Sequence, residues 1–134
     1  MKALNRSSKL PYEAEEQSAL FRMLEPLSVR HPELLLLYAI PNGGSRNKIE
    51  AAHLKAQGVK RGVPDLCLPV ARGGYHGLYI EMKRQQGGRV SDEQKWWLGQ
   101  LRRQGYLTAV AKGAQPALEL IMKYIKGGIK RNET

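Results

Sequence analysis

Apolar positions near the start of the chain recur at the spacing of an amphipathic helix. Met23 and Leu24 follow Leu20 by three and four residues, and Leu27 follows them by four and three. This stripe predicts one buried face of a helix that begins at Tyr12 and ends between Pro26 and Arg30. The preceding residues, 1–11, are polar and basic, so we expect a flexible basic arm there.

The next apolar segment has a different pattern. Residues 34–40 form a short continuous apolar run closed by Pro41, which predicts a strand buried on both faces. The alanine-rich segment 46–57 follows and predicts a second helix whose inner side consists of Ile49, Ala52, His53 and Ala56. Gly58 stands where a C-cap glycine is expected.

Two strands and a tight turn are expected in the middle of the chain. Residues 63–70 and 76–83 flank the pair Gly73-Gly74, which predicts a β-hairpin. Three aliphatic residues alternate with three polar ones in the second strand. Glu81 and Lys83 should therefore project from one face of the sheet, opposite the aliphatic residues.

The last third of the chain predicts helix, strand and helix. Residues 91–94, Ser-Asp-Glu-Gln, have the spacing of a capping box and predict a helix that reaches about Gln104. Residues 106–111 then predict a short strand, and residues 114–126 a final amphipathic helix. We expect the basic tail, 127–134, to be disordered.

The predicted order is helix, strand, helix, strand, strand, helix, strand, helix. This order is typical of an α/β fold with a small central mixed sheet flanked by helices. A chain of 134 residues is long enough for one such core and too short for two, so we expect one domain spanning residues 12–126.

Composition favours a polyanionic partner inside the cell. Lys and Arg number 22 and Asp and Glu 12, which gives a net charge of +10. Nucleic acid is the first candidate partner and an anionic membrane surface the second. The single cysteine, Cys67, cannot form an internal disulfide. No apolar stretch approaches the roughly 20 residues that span a bilayer, so we expect a soluble protein that is neither secreted nor inserted.

Two carboxylates could meet at one edge of the predicted hairpin. Asp65 begins its first strand and Glu81 lies near the end of its second. Such a pair, with a backbone carbonyl, suits Mg²⁺ or Mn²⁺. Lys83 could then orient an attacking water or stabilise charge developing at phosphorus. The alternative is structural, since Glu-X-Lys is also a simple surface charge pair and Pro-Asp a common turn.

These residues, taken together, resemble the VRR-NUC domain of the PD-(D/E)XK nuclease superfamily, in its stand-alone phage and bacterial form. The motifs that carry the resemblance are Gly58-Val-Lys-Arg-Gly-Val-Pro-Asp65, Tyr79-Ile-Glu81-Met-Lys83, and Ser91-Asp-Glu-Gln94 followed by Trp97 and Leu101. The resemblance implies a restriction-endonuclease-like core, metal ligation by Asp65, Glu81 and the carbonyl of Met82, and a catalytic Lys83.

The resemblance also implies a site glutamate on the first helix and a site glutamine. Glu16 lies one turn before Leu20 on the apolar stripe, so we place it first as a metal ligand and Glu13 second. Acidic residues at a helix N-terminus also have a structural explanation, because they offset the helix dipole. Gln94 matches the site glutamine, but it is equally well explained as the partner of Ser91 in a capping box.

Several small and basic residues are candidate contacts to DNA phosphates. A loop that could grip a phosphate consists of Asn42, Gly43, Gly44, Ser45 and Arg46. Basic residues on elements that flank the predicted site are Lys48, Lys60, Arg61, Arg84 and Arg89. The loop is otherwise a plain turn, and each basic residue is otherwise a solvated charge.

The function predicted from the sequence is a Mg²⁺- or Mn²⁺-dependent DNA endonuclease. The resemblance implies a cytoplasmic enzyme of replication, recombination or repair in a bacterial or phage-infected cell. It further implies a homodimer that acts on Holliday junctions or flaps, because a four-way junction presents two equivalent strands. The alternatives are a non-catalytic nucleic-acid-binding module of a replication complex and a metalloenzyme for small phosphorylated substrates.

Overall fold

The computed structural model describes residues 12–41 and 47–132. The helices are α1 (Glu13–Leu27), a 3₁₀ helix (Pro32–Leu36), α2 (Lys48–Ala56), α3 (Asp92–Arg103) and α4 (Ala114–Ile125). The strands are β1 (Tyr38–Ala39), β2 (Leu66–Leu68), β3 (Leu78–Lys83) and β4 (Leu107–Lys112). None of the helices in the described ranges is both long and apolar enough to cross a membrane.

The strands form one mixed sheet in the order β1-β2-β3-β4. β1, β2 and β3 pair antiparallel, and the predicted hairpin of β2 and β3 is confirmed. β4 pairs parallel to β3, with Glu81 opposite Val110. α3 joins these two strands, as a parallel pair requires a crossover connection. The predicted α/β fold with a small central mixed sheet is confirmed.

The core lies where α1 and α4 pack against each other and against the sheet. Leu20 and Leu24 of α1 and Ile121 of α4 are buried here with the aliphatic side chains of β2 and β3. The phenol of Tyr124 is also buried and donates to the carbonyl of Val70 at 2.6 Å. The alternation predicted in β3 therefore holds, because its aliphatic side chains face this core.

The apolar run at residues 34–40 differs from its prediction. A 3₁₀ helix begins at Pro32, whose fixed φ angle suits the first helical position. Leu34 and Leu37 lie three residues apart on the same side of this helix and are buried, whereas the two leucines between them are exposed. The strand β1 that follows consists of only two residues, both exposed. The prediction of a strand buried on both faces is therefore wrong.

α2 also differs from its prediction in how it packs. The side chain of Asn47 caps it by accepting from Ile49 N at 2.8 Å, and Gly58 follows its end with a φ of 98°. The helix buries none of its residues, and Ile49 is 68% exposed. The predicted inner side of α2 is therefore wrong. The candidate phosphate loop, Asn42 to Arg46, lies outside the described residues.

The tail packs on the β2–β3 turn as far as Arg131. The N–H of Arg131 donates to the carbonyl of Gly73 at 2.7 Å, and the N–H of Gly128 donates to the carbonyl of Lys123 at 2.9 Å. Gly73 has a φ of 59°, and a side chain there would collide with Ile129. The prediction of disorder is therefore wrong for residues 127–131. The predicted N-terminal arm, 1–11, lies outside the described residues.

Candidate active site

Asp65 and Glu81 face each other at the end of the antiparallel hairpin. The register pairs Leu66 with Ile80, so the next positions bring these two acids opposite one another. Residues that are directly opposite in a ladder project from the same face. Asp65 Oδ2 also accepts a hydrogen bond from the N–H of Met82 at 2.7 Å. The two carboxylates predicted to converge therefore do so.

Burial and mutual repulsion hold a proton on this acid pair. Glu81 is only 2% exposed. Burial, followed by the negative charge of Asp65, raises its pKa to about 8, although Lys83 acts in the opposite direction. Burial likewise raises the pKa of Asp65, although the hydrogen bond from the N–H of Met82 lowers it. At neutral pH the pair therefore retains a proton unless a cation replaces it.

Lys83 and Gln94 complete a hydrogen-bonded group around Glu81. Lys83 Nζ lies 3.4 Å from Glu81 Oε2 and donates to Gln94 Oε1 at 3.0 Å. Gln94 Nε2 donates to the same Glu81 oxygen at 2.9 Å. Gln94 also accepts from the N–H of Ser91 at 2.8 Å and completes the capping box of α3. Gln94 thus has both of the roles that its position in the sequence suggests.

The two glutamates of α1 lie at different places. Both oxygens of the buried Glu16 carboxylate are occupied: Oε1 accepts from Ala114 N at 3.0 Å and Oε2 from Gln85 Nε2 at 2.9 Å. Glu13 Oε1 lies 4.0 Å from Lys83 Nζ, and its charge contributes to the raised pKa of Asp65. Glu13 is therefore the glutamate beside Lys83, whereas Glu16 is bound to α4 and to Gln85.

The donor atoms around the acid pair suit a hard divalent cation. Glu81 Oε1 is buried and has no hydrogen-bond partner. In an extended strand the N–H and C=O of a residue lie on the same side, so the Met82 carbonyl also faces the Asp65 side of β3. Two carboxylates and a carbonyl are oxygen ligands of the kind that Mg²⁺ and Mn²⁺ prefer.

A third acidic ligand is not in place. Across residues 12–41 and 47–132, no group of three or more His, Cys, Asp or Glu side chains could hold a metal ion. The site therefore has two carboxylates, and Glu13 would join them only by a movement of its half-exposed side chain.

The predicted basic contacts are exposed and lie on separate elements. Lys60 and Arg61 are exposed on the loop before β2, and the indole of Trp97 donates to the carbonyl of Arg61 at 3.1 Å. Gly62, with a φ of 88°, lies so close to Glu93 that a Cβ would be 2.9 Å from its backbone. This loop is thereby held against the first turn of α3. Lys48 is exposed at the start of α2.

Arg84 and Arg89 line a cavity that the sequence did not indicate. Its volume is about 340 Å³, and its other lining residues are Tyr12, Glu13, Ala14, Gly87 and Gly88. The one feature of the sequence that could have indicated this cavity is the Gly87-Gly88 pair between the two arginines. Such a pair allows close approach to the backbone, but nothing local indicates that the start of α1 forms the opposite wall.

A row of side chains beside the acids was also missed. Tyr38 pairs with Cys67, and Cys67 pairs with Tyr79, one side-chain repeat from Asp65 and Glu81 on the same face. Tyr38 is 50% exposed, and its hydrogen bond to Cys67 raises the pKa of its phenol. Interpreting residues 34–40 as buried on both faces concealed this exposed aromatic residue next to the site.

Comparison with known proteins identifies the family of the chain. The model of the VRR-NUC domain family matches residues 13–115, a range that includes Glu13, Asp65, Glu81, Lys83 and Gln94. A solved structure described as a VRR_NUC domain protein is 33% identical, with a TM-score of 0.73, over 92% of this chain and 95% of that chain. No curated protein matches the sequence. The chain belongs to the VRR-NUC domain family, a family of nuclease-type domains.

Proposed function

We propose that this chain is a Mg²⁺- or Mn²⁺-dependent deoxyribonuclease that hydrolyses phosphodiester bonds in branched DNA. The observation that carries the proposal is the unpaired, buried Oε1 of Glu81, which lies beside a second carboxylate. A buried oxygen without a partner is costly, and a cation held by these acids would remove that cost. A site of this kind is expected where acids are arranged for use.

Asp65, Glu81 and the Met82 carbonyl would hold the cation, and Glu13 would approach as a further acid. When bound there, the cation supplies positive charge to the phosphate and lowers the pKa of water. Lys83 places its ammonium next to the acids, where it stabilises negative charge that develops on the phosphate oxygens. Gln94 fixes both Lys83 and Glu81 through its side-chain amide.

The basic surface supports DNA as the substrate. A net charge of +10 favours a polyanion, and the exposed Lys60, Arg61, Arg84 and Arg89 lie on loops next to the acids. We infer action on junctions or flaps, and a homodimer, from the resemblance to junction resolvases. A symmetric dimer presents two sites to the two equivalent strands of a four-way junction.

A panel of substrates tests this proposal. Purified protein is incubated with junction, flap, single-stranded and duplex DNA in Mg²⁺, Mn²⁺ or EDTA, and products are resolved on denaturing gels. We expect cleavage of the branched substrates in either metal and none in EDTA. Light scattering in the same buffers should give the mass of a dimer.

The variant Asp65→Asn separates cleavage from binding. It should abolish cleavage in both metals and leave DNA affinity in EDTA unchanged, because the change keeps the shape of the side chain. Glu25→Gln, at an exposed position on α1, is the matched control and should cleave like the wild type. Cleavage that survives in Asp65→Asn would exclude the proposed site. Metal-independent binding without cleavage by the wild type would favour a non-catalytic module.

A further inference from the structure

The open cavity lined by Arg84 and Arg89 lies next to Lys83 and shares Glu13 with the surroundings of the acid pair. Glu13 belongs both to its wall and to the surroundings of Lys83, whose Nζ lies 4.0 Å from the Glu13 carboxylate. Gly88 forms part of the wall, and a Cβ there would lie 3.0 Å from Cβ of Lys83. A group in the cavity would therefore be the immediate neighbour of a phosphate bound at the acids.

The charges of the cavity favour an anion. Arg84 and Arg89 are exposed, and no carboxylate of the described residues forms an ion pair with either guanidinium. Gly87, with a φ of 79°, keeps space for Arg84, because a Cβ there would lie 3.2 Å from its Nη2. Two arginines with planar, forked donors are well suited to phosphate oxygens.

The size of the cavity limits what can enter. Its volume of about 340 Å³ is at the lower end of the range for small-molecule sites, which matches one nucleotide and not a duplex. A paired nucleotide would first have to leave its stack, which costs free energy, whereas an unpaired one enters with little cost.

We propose that this cavity binds one unpaired nucleotide, adjacent to the scissile phosphate on the strand that is cut. Arg84 and Arg89 bind its phosphate, and the space between Ala14 and Gly88 accommodates its sugar and base. This inference rests on the proposed nuclease function and adds a substrate class to it. DNA with an unpaired nucleotide at the cut, as in a flap or an open junction, is favoured over continuous duplex.

Binding in EDTA tests the cavity separately from cleavage. Fluorescence anisotropy compares labelled single-stranded, flap and fully duplex DNA against the full chain. Arg84→Ala and Arg89→Ala should each weaken binding of single-stranded and flap DNA by about tenfold, the size expected for a charged hydrogen bond to phosphate. Duplex binding should change by no more than about twofold, as for the loss of one remote charge.

Two further variants separate charge from shape. Arg30→Ala removes the same charge beyond the far end of α1 and should alter binding of all three DNAs by less than about twofold. Ala14→Trp fills the cavity, keeps both arginines, and lies at an exposed helical position. It should weaken binding of flap and single-stranded DNA and spare duplex DNA. Thermal melting of each variant confirms that it is folded.

Equal losses on all three DNAs would show that the arginines are general phosphate contacts, which would overturn the proposal. Unchanged binding in Ala14→Trp would also overturn it. Selective losses in a protein that cleaves nothing with Mg²⁺ or Mn²⁺ would support the cavity and refute the nuclease function. The two proposals therefore fail by different results.

Discussion

Glu13 Oε1 lies 4.0 Å from Lys83 Nζ, the ammonium group that also contacts Glu81. This contact is long and its carboxylate is half exposed, so it contributes little to stability. Glu13→Gln should therefore reduce metal-dependent cleavage by about 10- to 100-fold, the usual range for residues that support a metal site, and leave the melting temperature unchanged. Single-turnover rates at several Mg²⁺ concentrations provide the measurement. An unchanged rate at limiting Mg²⁺ would show that Glu13 does not contribute to the site.

Substitution of Glu16 should have the opposite effect: it should lower stability and leave cleavage intact. The Glu16 carboxylate accepts from Ala114 N and Gln85 Nε2, so truncation leaves the buried N–H of Ala114 without a partner. Glu16→Ala should lower the free energy of unfolding in urea by about 1–3 kcal/mol. Cleavage per folded molecule should persist. Glu15→Ala, its exposed neighbour, is the control and should be as stable as the wild type. Lost Mg²⁺ affinity at full stability would instead make Glu16 a ligand.

Ser91 and Gln94 allow the two roles of the capping box to be separated. Ser91→Ala removes the hydroxyl that accepts from Gln94 N, but leaves the Gln94 amide on Glu81 and Lys83. Both Ser91→Ala and Gln94→Ala should cost about 1 kcal/mol of stability, as is typical for a lost cap. Only Gln94→Ala should also slow cleavage at saturating metal. Equal rates in the two variants would assign Gln94 to capping alone.

The stability of the protein in EDTA should fall as the pH rises. The pKa of Glu81 is raised from 4.5 to about 8 in the folded protein, so the folded state binds a proton that the unfolded state releases. This stabilising contribution is complete below about pH 4.5 and is lost as the pH rises through 8. Melting temperatures between pH 5 and 9 should show the loss, and Glu81→Gln should flatten it.

Mg²⁺ should reverse that loss at high pH. A cation that binds only the folded protein stabilises it by mass action, and deprotonated acids bind it best. The melting temperature at pH 8.5 should rise with Mg²⁺ in the wild type and not in Asp65→Asn. A rise of equal size in both proteins would place the cation elsewhere.

Local patterns in the sequence predicted the parts of the site that are set locally. Glu81 and Lys83 share a face because strand alternation requires it, and Gln94 is fixed by a four-residue capping motif. The choice between Glu13 and Glu16 could not be made in this way. The two residues are one turn apart on the same face of α1, and the donor that occupies Glu16 is 98 residues away.

The apolar run at residues 34–40 shows the same limit for the fold. Four consecutive leucines suit a buried strand and a 3₁₀ helix equally well, because periodicity cannot distinguish short apolar segments. Packing decides the outcome: Leu34 and Leu37 reach the core only if the chain turns after Pro32. The exposed Tyr38 beside the acids follows from that turn.

The packing of α1 on α4 has a consequence for the order of folding during synthesis. Glu16 is synthesised early. The N–H from which its carboxylate accepts a hydrogen bond belongs to Ala114, the first residue of the last helix. A growing chain on the ribosome therefore has every acid of the site before the residue that donates to Glu16 Oε1 is made. Stable packing of α1 should therefore form only after α4 has emerged, when synthesis of the domain is nearly complete.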